Sequence, residues 1–325
     1  MKKVILTATA LILAFALTTT VTSCKKKTDD TTTDDNTAAQ TQNASDDSRV
    51  SSELDNATSD ENAVLSYSST TTGKMESGVT LPCNVSLDTA NIKSSTPSLT
   101  INYNGNTCDG KFSRSGSITI SWTSGVHWKD AGAAVNVSYN NYKVIRNSDS
   151  KSIIFNGTKT YTNVYGRLIY QLTTATSDSI VHRITASNLS ITFDDGKVRT
   201  WSVARRQVWT MPTSGVYQIK VFGEGTVSGD NNIVVWGTTR AGEAFRVQLA
   251  APLTANSSCG WFRPTGGVRT IKGIAAQLSL ILGVDATVVH AQVGAYDGSN
   301  CSSFWGYTLT WTGPKGNSIS VSLAY

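Results

Sequence analysis

Histidine is nearly missing from this chain: His127, His182 and His290 are the only three in 325 residues. No two have metal-ligand spacing and no HExxH occurs, which removes the common zinc-hydrolase pattern. No GxSxG frames a serine nucleophile. His182 and His290 each read as a single strand position. Glutamate is also rare. From residue 75 onward only Glu76, Glu224 and Glu243 occur, a thin supply for the paired carboxylates of glycoside hydrolysis. There is no CxxC, and no histidine lies close to a cysteine, which argues against a zinc site. Long apolar runs are missing too. Ile271 to Leu282 is interrupted by Lys272, Gly273 and Gln277, whereas a membrane-spanning helix needs ~20 apolar residues. The sequence therefore assigns no catalytic residue, no metal ligand and no cofactor.

What is present begins with a leader. Lys2 and Lys3 precede an apolar core from Val4 to Leu17, and small polar residues lead to Val21-Thr22-Ser23-Cys24. Residues 1–23 read as a signal peptide. Cys24 reads as the lipidation site of a bacterial lipoprotein, because the residue before the cysteine must be small to fit the processing peptidase. Palmitate-like chains on this thiol give stable anchoring once two or more are present. Lys25-Lys26-Lys27 and the pairs Asp29-Asp30 and Asp34-Asp35 follow. The Ser-Cys-Lys-Lys opening resembles lipoproteins of the Bacteroidota, in which acidic residues after the cysteine direct display on the outer leaflet. The resemblance implies an outer-membrane, cell-surface location with the membrane as a partner through Cys24.

Residues 24–74 hold five Lys/Arg against ten Asp/Glu, a net charge of −5; residues 75–325 hold twenty-one against thirteen, a net of +8. The acidic stretch is rich in Thr, Asp, Asn and Ser with almost no aromatic residue, the composition of a flexible tether. Val50, Leu54 and Ala57 have helical spacing within Ser48 to Leu65, which allows one short helix. The basic remainder could favour anionic partners such as lipopolysaccharide or acidic glycans. Its arginines are scattered, with no interleaved aromatic patch of the kind that binds nucleic acid.

Residues 75–325 predict an all-β domain, with room for a division into two β halves near 212–230. Period-two alternation runs through Leu99 to Tyr103, Ser117 to Trp122, Ala134 to Tyr139 and Leu189 to Phe193. It recurs from Val198 to Trp209, Val216 to Phe222, Ile233 to Trp236 and Ala244 to Leu249, and again from Thr287 to Val293, Tyr307 to Trp311 and Ser318 to Leu323. This pattern predicts antiparallel sheets, either β-sandwich-like or one long twisted sheet. Asp194-Asp195-Gly196-Lys197 predicts a hairpin with positive φ at both central residues. Asp109, Asp194-Asp195, Asp230 and Asp297 read as turn residues and not as a calcium loop. Four cysteines remain, and three pairings are open to them. The sequence-local choice is Cys83–Cys108 with Cys259–Cys301. Tyr103-Asn104-Gly105-Asn106-Thr107-Cys108 matches Tyr296-Asp297-Gly298-Ser299-Asn300-Cys301, as though one disulfide-pinned corner opened and closed the domain, with the Asn-Gly and Asp-Gly pairs making the turns.

The order of these features carries a wider resemblance. Ile101 to Gly110 is followed by Arg114-Ser115-Gly116-Ser117-Ile118, Tyr139-Asn140-Asn141-Tyr142, Phe155-Asn156-Gly157-Thr158, the Asp-Asp-Gly-Lys hairpin, Arg240-Ala241-Gly242, Ala251-Pro252-Leu253 and the closing cysteines. Over roughly residues 80 to 325 this resembles a family of uncharacterised Bacteroidota outer-membrane lipoproteins. The resemblance implies an all-β domain with paired cysteines and brings no established activity.

All eight tryptophans, at 122, 128, 201, 209, 236, 261, 305 and 311, lie in the β domain. Exposed indole rings can stack on sugar faces, although cross-strand packing also favours aromatics. Trp261, Phe262, Phe304 and Trp305 flank the closing cysteines and are the candidate ligand-binding residues. The leading expectation is a lipid-anchored, non-enzymatic β domain with a structural, adhesive or partner-binding role towards another envelope protein. Surface glycan binding during polysaccharide uptake is the alternative, and glycoside or ester hydrolysis comes third.

Overall fold

The computed structural model describes residues 33–68, 81–259, 264–273, 278–285, 305–312 and 318–324. Among the described residues one α-helix, α1 (Thr33–Ser68), precedes fifteen strands. These are β1 (Val85–Asp88), β2 (Ser98–Asn106), β3 (Phe112–Trp122), β4 (Ala133–Arg146), β5 (Ser152–Asn163), β6 (Ile180–Phe193), β7 (Val198–Thr213) and β8 (Val216–Gly223). They continue as β9 (Gly225–Val227), β10 (Asp230–Thr238), β11 (Ala244–Asn256), β12 (Gly266–Lys272), β13 (Leu278–Asp285), β14 (Trp305–Thr312) and β15 (Ser318–Ala324). All pairings are antiparallel, in one sheet running β1 to β7, then β10 to β15, with β8 bridging β7 and β11. The fold is all-β, as the alternation predicted, and it is one sheet. No boundary divides it near 212–230, because β7 pairs with both β8 and β10 across that region.

The acidic segment is the larger departure. In place of a flexible tether, residues 33–68 form a helix of 36 residues, ~54 Å long at 1.5 Å per residue. No proline or glycine interrupts it. Its many Ser, Thr, Asn and Asp residues are poor helix formers, so packing must supply the order. Val50, Leu54, Ala57, Val64 and Leu65 are buried, each of the larger ones contributing ~1.5–3 kcal/mol.

The sheet curls round this helix. Ser59 borders one cavity with Arg114 of β3 and another with Arg269 of β12. Seven strand spacings separate β3 from β12 in the sheet order, ~35 Å if flat, yet a helix is only ~10–12 Å across. A crease of bulges produces the curvature. The register slips at Ser115/Ser117 on β3, Tyr139/Tyr142 on β4, Asn156/Lys159 on β5 and Ala186/Leu189 on β6, four neighbouring strands. Bulges bend and twist a strand locally. Asn141 and Asn188 take positive φ there, and a Cβ on Gly116 would lie 2.1 Å from the Asn141 carbonyl oxygen. The freed amides find partners: Asn141 N–H donates to Asn156 Oδ1 (2.8 Å) and Asn188 N–H to Ser202 Oγ (2.9 Å).

Two turns differ in detail from expectation. Gly105 stays within β2, opposite Arg114; the chain reverses at Thr107 to Lys111, where Gly110 has φ +69° and Asp109 Oδ1 accepts from Thr107 Oγ1 (2.6 Å). At Asp194 to Lys197 only Gly196 has positive φ (+75°), and the Lys197 amide donates to Asp195 Oδ1 (3.0 Å). Cys83 and Cys108 are bonded. Cys259 is buried and disulfide-bonded; Cys301, its expected partner, lies outside the described residues, as do Cys24, the second copy of the cysteine corner and the strand expected at Thr287 to Val293.

Candidate functional site at the helix-sheet interface

The helix carries eight carboxylates and one cation, Arg49. Inward positions of the sheet carry the complement. Arg240, after β10, grips Asp46 with two hydrogen bonds of 2.7 Å and stacks 3.5 Å over the Phe193 ring. Arg269 on β12 donates to Asp47 (2.9 Å), Arg205 on β7 pairs with Asp55, and Arg114 on β3 donates to Asp60 (2.5 Å). Glu61 and Lys159 are the most enclosed pair, 0% and 3% exposed and 2.8 Å apart. Tyr139 donates to Glu61 (2.9 Å), and Lys159 also donates to Thr58 (2.7 Å). Burial pushes Glu61 up and Lys159 down from their usual ranges, against their mutual attraction. The opposite charges of the two segments thus meet inside the molecule. The chain's own helix therefore occupies five of the cations of the basic remainder.

The interface also fixes direction. Arg49 donates to the Lys151 carbonyl in the β4–β5 turn, and Trp128 in the β3–β4 loop donates to Asn62 (3.2 Å). The amino-terminal end of the helix therefore leaves by the rim holding the β2–β3, β4–β5, β6–β7 and β10–β11 turns. Connections at this rim are four or five residues long. Those at the opposite rim, apart from the two-residue β7–β8 turn, are nine to nineteen. Tyr165, on the long β5–β6 connection there, is 64% exposed.

A cleft of about 250 Å³ opens beside the disulfide, between the helix and β3–β4. Glu53, Asn56, Ser59 and Asp60 form one wall; Arg114 and Tyr142 face them. Glu53 is 4% exposed. Burial raises its carboxyl to about 7, although Arg49, Arg114 and Arg146 draw it down. Tyr142 is fully buried, and no group meets hydrogen-bond geometry with its hydroxyl. Burial holds that phenol above its usual range.

His182 sits on β6, as a strand position, with Nδ1 2.7 Å from the Tyr161 hydroxyl and its ring packed among Trp128, Tyr161 and Trp209. Burial lowers its pKa to about 3. A lowered histidine binds protons less readily folded than unfolded, so its contribution to stability is complete above pH ~6.5 and is lost as the pH falls towards 3. Urea unfolding at pH 5 should show wild type losing about 2 kcal/mol more, relative to pH 7.5, than a His182→Gln variant. His127 lies on the β3–β4 loop beside Asp130 (3.3 Å); His290 is outside the described residues. Among the described residues no three His, Cys, Asp or Glu side chains converge as a metal ion requires.

Comparison with protein families, curated proteins and solved structures returns no match. Of the aromatic candidates, Trp261, Phe262 and Phe304 lie outside the described residues, and Trp305 is the first residue of β14. Trp128, Trp201 and Trp209 are buried, which places these three in packing, and Trp122 and Trp236 are half-buried. Sequence reasoning missed Asp46, Asp47, Asp55, Asp60 and Glu61 as structural residues. The signal available was the coincidence of an acidic segment with a basic domain.

Proposed function

We propose that this is an exported, lipid-anchored protein of the outer membrane whose β domain binds another envelope component through the rim remote from the anchor. The run from Cys24 to the start of α1 is nine residues, at most ~32 Å when extended. A fifty-residue tether would reach several times further. The docked helix holds the domain close to the bilayer, with the short-turn rim towards the lipid and the long loops away from it. That asymmetry of connections is the observation that supports a binding role, because function concentrates in loops held by a rigid scaffold. The resemblance to Bacteroidota lipoproteins agrees with this location. Surface glycan binding is the second reading, favoured by Trp305 opening β14 at the same remote rim.

Photo-crosslinking in intact cells tests the proposal. A photoreactive residue replacing Tyr165 should give a discrete adduct, lost when Cys24→Ala releases the protein from the membrane. The same residue replacing Gly196 on the opposite rim should give none. Equal labelling from both rims, or no adduct from position 165, would count against it.

A further inference from the structure

The cleft beside the Cys83–Cys108 disulfide gathers acidic and phenolic side chains in one partly enclosed space, whether or not the protein is anchored. Three carboxylates, Glu53, Asp60 and Asp109, line it against one cation, Arg114. Two of them are already matched: Arg114 Nη1 (2.5 Å) and the Tyr103 hydroxyl (3.1 Å) donate to Asp60 Oδ2, and Thr107 Oγ1 (2.6 Å) and the Lys111 amide (3.1 Å) donate to Asp109 Oδ1. Glu53 makes no ion pair of this kind. The nearby cations are committed elsewhere: Arg146 to Asp149, and Arg49 to the Lys151 carbonyl. The Tyr142 hydroxyl, fully buried and lining the same space, lies beside the Arg114 guanidinium but meets no group in full hydrogen-bond geometry. Glu53 has only Asn56 as a hydrogen-bond partner and no cation of its own, and a buried phenol hydroxyl left unmatched costs ~1–3 kcal/mol.

We propose that this cleft binds a small organic cation of the alkylammonium or guanidinium class. Such groups carry several N–H donors and no acceptor, which matches the oxygens of Glu53, Ser59 and Tyr142. An anion would meet the carboxylates of Glu53 and Asp60 with Arg114 already taken. A volume of about 250 Å³ accommodates an amine with a short alkyl chain. The bound charge replaces the missing counter-ion of Glu53, so binding releases a proton from that carboxyl. The groups facing Glu53 are Arg49 on its own helix, Arg114 on β3, and Tyr142 and Arg146 on β4. With the carboxyl titrating at about 7, roughly one-tenth is ionised at pH 6 and nine-tenths at pH 8.

Calorimetric titration of the full-length protein in detergent with cadaverine and with agmatine provides the test, with glucose as the neutral comparison. Both amines should bind about tenfold more tightly at pH 8 than at pH 6, and glucose should not bind. Glu53→Gln should weaken amine binding at least tenfold at pH 8 and abolish the pH dependence. Tyr142→Phe, which preserves the ring packing, should weaken it about threefold. Far-ultraviolet circular dichroism and unfolding midpoints establish that each variant is folded. Failure of wild type to bind either amine, binding of glucose in their place, or unchanged affinity in the Glu53 variant overturns the proposal.

Discussion

Deletion of residues 33–68 is expected to abolish folding of the β domain, not merely to free it from the membrane. A sheet needs a second layer over its apolar face, and here the helix is that layer. Without it, Tyr139, Tyr142, Phe155, Tyr161 and Trp201, among the largest fully buried side chains, would face water. Arg114, Lys159, Arg205, Arg240 and Arg269 would point into one trough with their counter-ions gone. Either loss is comparable with the ~5–15 kcal/mol by which domains are stable. The truncated protein should bind hydrophobic dyes, lose its near-ultraviolet circular dichroism and unfold without cooperativity. A peptide spanning residues 33–68, added in trans, should restore part of the signal. A soluble truncated monomer with native-like spectra and a sharp transition would show that the helix is dispensable.

The second large effect is expected at Glu61 and Lys159. Lys159→Met leaves a buried carboxylate without its cation and should cost about 3–5 kcal/mol. The cost should grow with pH. A carboxyl whose folded pKa is raised binds its proton more tightly in the native state, so stability is lost as the pH rises through the folded value. Glu61→Gln keeps an acceptor for Tyr139 but strands the ammonium. The double variant removes both charges and should recover to within about 1–2 kcal/mol of wild type, because a neutral replacement of a buried ion pair is often tolerated. Chemical unfolding of the four proteins at pH 6 and pH 8 yields the coupling energy. Strictly additive single effects would mean that the two groups do not meet.

The strands were legible because period two survives in a sheet with one face buried: Leu99, Ile101 and Tyr103 point inward along β2, with Thr100 and Asn102 between them. β1, β5, β9, β12 and β13 were not anticipated. β5 has Gly157 at its bulge, opposite the turn of β4 at Asn140-Asn141, and the slip interrupts the alternation. The motifs Ser115-Gly116-Ser117, Tyr139 to Tyr142 and Phe155 to Thr158 stood out as structural punctuation. Only the register shows that they lie side by side on adjacent strands and form one crease. The helix was illegible for a different reason. Its composition is that of a solvated chain, and the features that order it, five cations on β3, β5, β7, β12 and the β10–β11 turn, are scattered over more than 150 residues. Val50, Leu54 and Ala57 gave its apolar stripe, yet the flanking carboxylates read as surface. The cleft depends on Glu53 and Tyr142, which no spacing connects.

Burying the first segment inside the last-formed wall dictates an order of events. Asp47 and Arg269 are 222 positions apart, and Asp46 and Arg240 are 194 apart. Neither link can close until the chain has been synthesised as far as Arg240 and Arg269, and such distant closures slow folding. Until then the acidic stretch is a marginal helix kept soluble by its own repulsion, while each new hairpin adds to an uncovered ribbon. The final docking step converts this half-made state into a native one, which makes the protein dependent on protection from aggregation for longer than a chain of local contacts would be.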